Sequence, residues 1–276
     1  MKGFRMLKRD LNLGLLKKWY RYFFIIVVVV VGSFRVHDIL AELEANGMGC
    51  DTVSFWDYLF SNMRGMSPYV FSVENDFSLP LLWFCVQIGF HYIIAYYPEQ
   101  DLREHGKQVL INSKSRMGWW ISKCFWCFVA TIVYFVLILV STAMSVLILE
   151  GTLSFDYDGR ASMLLMSNNF KYAFLDDLIL SSLVVPFFVT FALGLLQMVL
   201  SFIITPVISF ATICAVYVVS AFYTSAWLPG SYTMLLRSSF LDNEGLSPYS
   251  GLVIAGVIGI ASVFIGYAYF ENKDVL

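Results

Sequence analysis

Long uncharged runs alternate with shorter charged segments along the chain, and the runs set the architecture. From Leu178 to Leu236 there is no Asp, Glu, Lys or Arg. A bilayer core takes about 20 apolar residues per helix, so this run is long enough for two crossings. Gly194, Gln197, Ser201, Thr205 and Pro206 mark a tight hairpin between them. Phe77–Tyr97, Cys124–Leu149 and a last run ending at Phe270 each fit one crossing. The first run, Tyr22–Phe34, is short, and it spans only if Arg21 and Arg35 snorkel to the two interfaces. The pattern predicts an all-α integral membrane protein with six spans, near 20–36, 77–97, 120–149, 178–199, 205–227 and 249–270, in one domain covering 1–276.

The polar segments are uneven in charge. Before the first span stand Lys2, Arg5, Lys8, Arg9, Lys17, Lys18 and Arg21 against Asp10 alone. On a helical wheel Phe4, Leu7, Leu11 and Leu15 fall on one face, with Lys2, Arg5, Arg9 and Asn12 opposite. This suits a helix at the headgroup boundary, or a plain basic flank; both place this end inside. Residues 36–76 are mainly acidic and hold a candidate amphipathic helix at 51–60. Tyr97–Lys123 is a long charged segment with spans close on both sides. Pro98, then Glu99 and Asp101, then Gly106 predict a short helix over Pro98–His105. Lys107, Lys114, Arg116 and Lys123 lead back to lipid, Lys123 snorkelling and Trp119 and Trp120 standing in an aromatic belt. The half-apolar stretch around Arg237 predicts a segment dipping part way into the membrane before the last span.

Composition agrees with this picture: 59% of residues are hydrophobic and 14% charged, far from soluble averages. A net charge of −2 and a pI near 5.9 leave no basic face for nucleic acid. Under the six-span topology, with both termini inside, 13 of the 18 basic residues and 6 of the 20 acids lie inside. That asymmetry follows the positive-inside rule.

Catalytic motifs are missing. The sequence has no G-x-x-x-x-G-K-[ST], H-E-x-x-H or G-x-S-x-G, and His37, His91 and His105 fall in separate regions. No enzyme activity, metal or cofactor is expected of this chain. Cys124 and Cys127 form a C-x-x-C at the entrance of an apolar helix, where ordinary membrane cysteines are the default. Gln87 and His91 share a helix face within a span and are candidates for a substrate path; the alternative is that His91 hydrogen-bonds a neighbouring helix. In the last span Ala255, Gly259, Ser262 and Gly266 make one small-residue face for close helix packing, within the chain or between subunits.

These features together resemble the ABC-2 type permease subunits of ABC transporters, the bacterial export family that includes lantibiotic, bacitracin-type and other drug-export permeases. The likeness lies in a basic N-terminal helix, six spans, a half-embedded segment LPGSYTMLLRSSF before the last span, and the tail FENKDVL. In the loop between the second and third spans, Glu99, Asp101 and Glu104 precede Gly106, then Leu110, Ser115, Arg116, Trp120 and Lys123. The resemblance implies that this loop carries a coupling helix, with Glu99, Asp101, Leu102, Arg103, Glu104, Gly106 and Lys107 facing a separate ATP-binding subunit that holds ATP and Mg. It also implies a second permease subunit, identical or paralogous, in a bacterial plasma membrane, and outward movement of an amphipathic peptide, drug or lipid. A non-transporting immunity or sensor protein, binding a peptide on its acidic outer loops, is the other reading.

Overall fold

The protein is described from a computed structural model that covers residues 2–50, 53–71, 76–103, 116–166 and 174–272. All named elements among these residues are helical. In chain order they are α1 (Lys2–Gly14), a 3-10 segment (Leu16–Tyr22), α2 (Phe23–Ala45), α3 (Phe55–Asn62), α4 (Leu81–Ile94), α5 (Tyr97–Asp101), α6 (Arg116–Glu150), α7 (Arg160–Met166), α8 (Leu175–Ile179), α9 (Val185–Ile203), α10 (Pro206–Phe222) and α11 (Pro248–Asn272). A π-helical turn, Leu180–Val184, joins α8 to α9 just before Pro186, whose missing N–H disturbs the helical ladder there.

Five helical stretches are long and apolar enough to cross a membrane: Leu16–Ala45, Leu81–Asp101, Met117–Glu150, Leu175–Ile203 and Pro248–Glu271. The chain is thus an α-helical, multi-pass membrane protein in composition and form. The apolar α10 has 17 residues, a length of about 25 Å at 1.5 Å per residue, against a hydrocarbon core of about 30 Å.

The helix of the first apolar run, α2, differs from expectation. It does not stop at the end of the uncharged run but continues through Arg35, His37 and Glu42 to Ala45. Residues 40–45, Leu-Ala-Glu-Leu-Glu-Ala, are strong helix formers, so the helix outlasts its apolar part. The hairpin between α9 and α10 is narrower than predicted. Gly194, Gln197 and Ser201 all lie inside α9, and the break falls at Ile204 and Thr205. Thr205 is the N-cap of α10, its Oγ1 accepting from the Ile208 N–H at 3.3 Å, with Pro206 in the first turn.

α9 packs on α4, α6, α10 and α11 and is the central helix. The main core gathers Ile25 and Val29 of α2, Phe90 and Ile94 of α4, Trp126 and Tyr134 of α6, and Met198 and Phe202 of α9. Trp119 and Trp120 do not sit in an aromatic belt. Both are buried against Phe202 and Phe270, and Trp120 Nε1 donates to the Val263 carbonyl at 3.0 Å. The exposed tryptophans are instead Trp19 and Trp227, and Tyr20, Tyr223 and Tyr249 are also exposed near helix ends.

Of the small-residue face, Ala255 and Ser262 are buried and Gly266 lies flat against Trp120, where an added Cβ would come within 2.2 Å of the ring. A Cβ on Gly259 would meet Ala192 and Leu195 of α9 at ordinary contact distance. The stretch after α10 folds inward as two 3-10 turns, Pro229–Thr233 and Leu235–Arg237. The buried Arg237 donates to the carbonyls of Ser220, Ala221 (2.6 Å) and Met66 (3.1 Å), so its guanidinium satisfies carbonyls at the C-terminal end of α10.

Candidate functional site: a buried ion cluster joining α1, α5 and α6

Asp10 is the one acid among the seven basic residues of the N-terminal stretch, and it points inward. It shares a helical face with Gly14, four residues on. A Cβ on Gly14 would lie 2.4 Å from the Trp126 ring nitrogen, so α1 comes this close to α6 only with glycine there. Leu11, Leu13 and Leu15 pack at the edge of the core beside it, while Lys8 and Asn12 face outward. The side chains of Lys2, Phe4 and Arg5 lie outside the described residues.

Lys123, in the second turn of α6, is fully buried rather than snorkelling. Its Nζ lies 2.7 Å from Asp10 Oδ1 and 2.7 Å from Asp101 Oδ2. Arg9 closes the cluster: Nη2 donates to both oxygens of Asp101, at 3.0 and 2.9 Å, and lies 3.4 Å from Asp10. Tyr97 OH and Ser122 Oγ donate to Asp10 at 3.1 and 2.7 Å. The Lys123 ammonium also sits over the rings of Tyr97 and Trp119, 4.7 and 5.1 Å from their centroids. Two cations and two carboxylates balance, which is the condition under which charges persist away from water.

Three separate elements are therefore held at one point. Lys18 Nζ donates to Gln100 Oε1 at 2.6 Å and adds the 3-10 segment to the same assembly. Ion pairs and hydrogen bonds thus tie α1, α5 and the start of α6 to one another.

Of the coupling residues expected from sequence, Asp101 is buried in this cluster, and Leu102 packs at the edge of the core. Glu99 and Arg103 pair with each other at 2.5 Å, with Arg103 largely exposed. Glu104, Gly106 and Lys107, and so the far end of the predicted helix, lie outside the described residues. The described part, Tyr97–Asp101 with Pro98 in the first turn, is separated from α4 only by Ala95 and Tyr96.

The other candidates lie at mid-bundle. His91 Nδ1 donates to Gln197 Oε1 at 2.7 Å, and Gln197 Nε2 donates to the His91 carbonyl at 3.0 Å. That pairing leaves Nε2 as the acceptor facing Tyr217 OH at 3.4 Å. Gln87 accepts from Thr190 at 3.3 Å. Both residues are buried and bridge α4 to α9 and α10.

Sequence reasoning missed a polar knot at the opposite end of the bundle. Glu150, at the end of α6, accepts from Tyr58 OH and lies 3.1 Å from His37 Nδ1. The Tyr58 hydroxyl is pushed well above its ordinary pKa, first by burial and then by its bond to Glu150. Asp57 forms a capping box with Ser54 and accepts from Ser162 at 2.5 Å, which fixes α3 to α7. The S-x-x-D spacing at Ser54–Asp57 was the available signal. All five cysteines are free thiols, and Cys127 is part of the main core.

Comparison with protein-family models, curated proteins and solved structures finds no match to this chain.

Proposed function

We propose that this chain is the membrane-spanning subunit of an ATP-driven exporter of the ABC-2 type, acting with a separate ATP-binding subunit and a second permease subunit. The observation that carries the reading is the ion cluster. In such a machine, force applied to a short loop must reach the spans without being absorbed locally. Asp101 ties the loop to α1 and, through Lys123, to α6, while α5 follows α4 almost without a break. A push on the loop then moves two spans and the interfacial helix as one body. Within the loop this divides the labour: Asp101 transmits, and the exposed Arg103 with its partner Glu99 meets the ATPase.

The six-span topology belongs to the same reading, with α10 as the fifth crossing and both termini inside. The cargo is an amphipathic peptide, drug or lipid. Pull-down from a bacterium expressing the chain at native level tests the idea. The wild-type protein is expected to bring down an ATP-binding subunit. Arg103→Glu reverses the charge of an exposed residue and is expected to lower that recovery at least fivefold with no change in thermal midpoint. If no ATPase is recovered with the wild type, the exporter reading fails; recovery unchanged by R103E removes this loop from the contact.

A further inference from the structure

We propose that the cavity between α2, α4 and the α3–α4 connection, at the end of the bundle opposite the ion cluster, binds an anionic amphiphile, with a phosphate or carboxylate head at Arg35 and Arg64 and an apolar chain along Leu82, Trp83 and Leu236. The proposal does not depend on the exporter reading; it requires only that the chain sits in a bilayer.

The cavity holds about 620 Å³, within the range of drug-sized ligand sites. Its polar wall carries two arginines close enough for each to repel the other's charge. Arg64 gives one hydrogen bond to the Leu165 carbonyl at 2.6 Å. Its pKa is lowered first by burial and then by the Arg35 charge. Among the described residues no carboxylate pairs with either guanidinium. Two guanidinium groups on one cavity wall, with no carboxylate partner among the described residues, are a ready fork for an anion, which bonds both at once and relieves their repulsion.

A second, independent observation is Asn62. Its side chain is almost wholly buried at this wall, pressed against Gly32, yet neither its amide oxygen nor its nitrogen has a partner. A buried amide without a partner costs about 1–3 kcal/mol, so a native structure rarely leaves one idle. Both polar atoms are sealed from solvent, so Asn62 lies behind the cavity wall and the head group is held by the two arginines. The rest of the lining, Leu79, Leu82, Trp83, Leu164, Met166 and Leu236, is apolar and suits an alkyl chain. Arg35 and Leu81 are exposed at the mouth, just beyond the uncharged run of α2, where a lipid head group would lie.

Native mass spectrometry of the purified full chain, titrated with lipid in detergent, reads this directly. One phosphatidylglycerol per chain is expected to bind at least fivefold more tightly than phosphatidylcholine of the same chains. Arg35→Gln, an exposed change, is expected to weaken it about tenfold, Arg35→Lys much less, and Arg160→Gln not at all. Dodecyl phosphate is expected to displace the lipid, and inorganic phosphate at equal concentration is not. Equal binding of the two lipids, or an Arg35→Gln protein that binds like wild type at an unchanged thermal midpoint, overturns the proposal. Displacement by inorganic phosphate alone overturns the apolar half of it.

Discussion

Asp10 and Lys123 show at single-residue scale how far a charge reads differently in sequence and in space. In sequence, Asp10 is an exception in a basic run and Lys123 a flank of a span; in the fold they are 2.7 Å apart across 113 residues of chain. Neutralising one member of a buried charge group leaves the rest unbalanced. Asp10→Asn strands Lys123 and Arg9 on a single carboxylate, a change of the kind that costs about 3–5 kcal/mol. A lower thermal midpoint in detergent is the expected result. The Asp10→Asn, Lys123→Met double variant removes one charge of each sign and leaves the Arg9–Asp101 pair intact. It is expected to lie closer to wild type than Asp10→Asn alone, and a double-mutant cycle measures the difference. Strictly additive losses would mean that the two side chains do not interact. The sequence showed that both residues were charged and lay near the interface, but pairing depends on how α1 docks on α6. The clue was the placing of Asp10 and Gly14 on one face, which outweighs the Leu7–Leu11–Leu15 row in deciding what turns inward.

Helices read well where their signals are local. The uncharged runs gave the apolar stretches, and Thr205–Pro206 gave the hairpin cap. They read poorly where a residue type has two uses. Gly194 was a candidate turn residue, but it sits inside α9, where a Cβ would meet Phe90 at 2.9 Å and Cys127 at 3.1 Å. Trp119 and Trp120 were candidate interface anchors, and in the first turns of α6 they form instead the edge-on and tilted ring contacts that hold α6 to α9 and α11. Gly266 and Gly256 of α11 separate packing from propensity. Gly266→Leu drives a side chain into the Trp120 ring and is expected to destabilise by about 1–3 kcal/mol or more, as overpacked cores do. A Cβ on Gly256 meets nothing within 4 Å, so Gly256→Ala is expected to be neutral or to stabilise by about 0.5–1 kcal/mol through helix propensity. Unfolding midpoints of the two variants give the comparison. A tolerated Gly266→Leu would remove the α6–α11 contact from the account of this fold.

For the molecule as a whole, the open quantity is parity, since five crossings put the termini on opposite sides and six return them to the same side. α10 decides it. With a length of about 25 Å it is shorter than a typical core by about 5 Å. Its far end, however, is finished by protein: Arg237 takes up the Ser220 and Ala221 carbonyls, and the inward-folded Pro229–Arg237 segment covers them. Protein-covered carbonyls are what a helix ending inside the hydrocarbon needs, because no water reaches them there. A helix ending in water would not call for a buried guanidinium. Exposed Asp156 and Asp158 follow α6 at the end opposite the ion cluster, which orients α6 alike for five crossings or six. The proposed orientation of α6 predicts that in intact cells a membrane-impermeant maleimide labels Asp156→Cys, in a background lacking the native cysteines; the number of crossings is read from the termini. N-terminal and C-terminal epitope tags are both expected to react with antibody only after permeabilisation. A C-terminal tag exposed in intact cells beside a hidden N-terminal one would show that α10 does not cross, and Arg237 would then be capping a re-entrant helix rather than the end of a span.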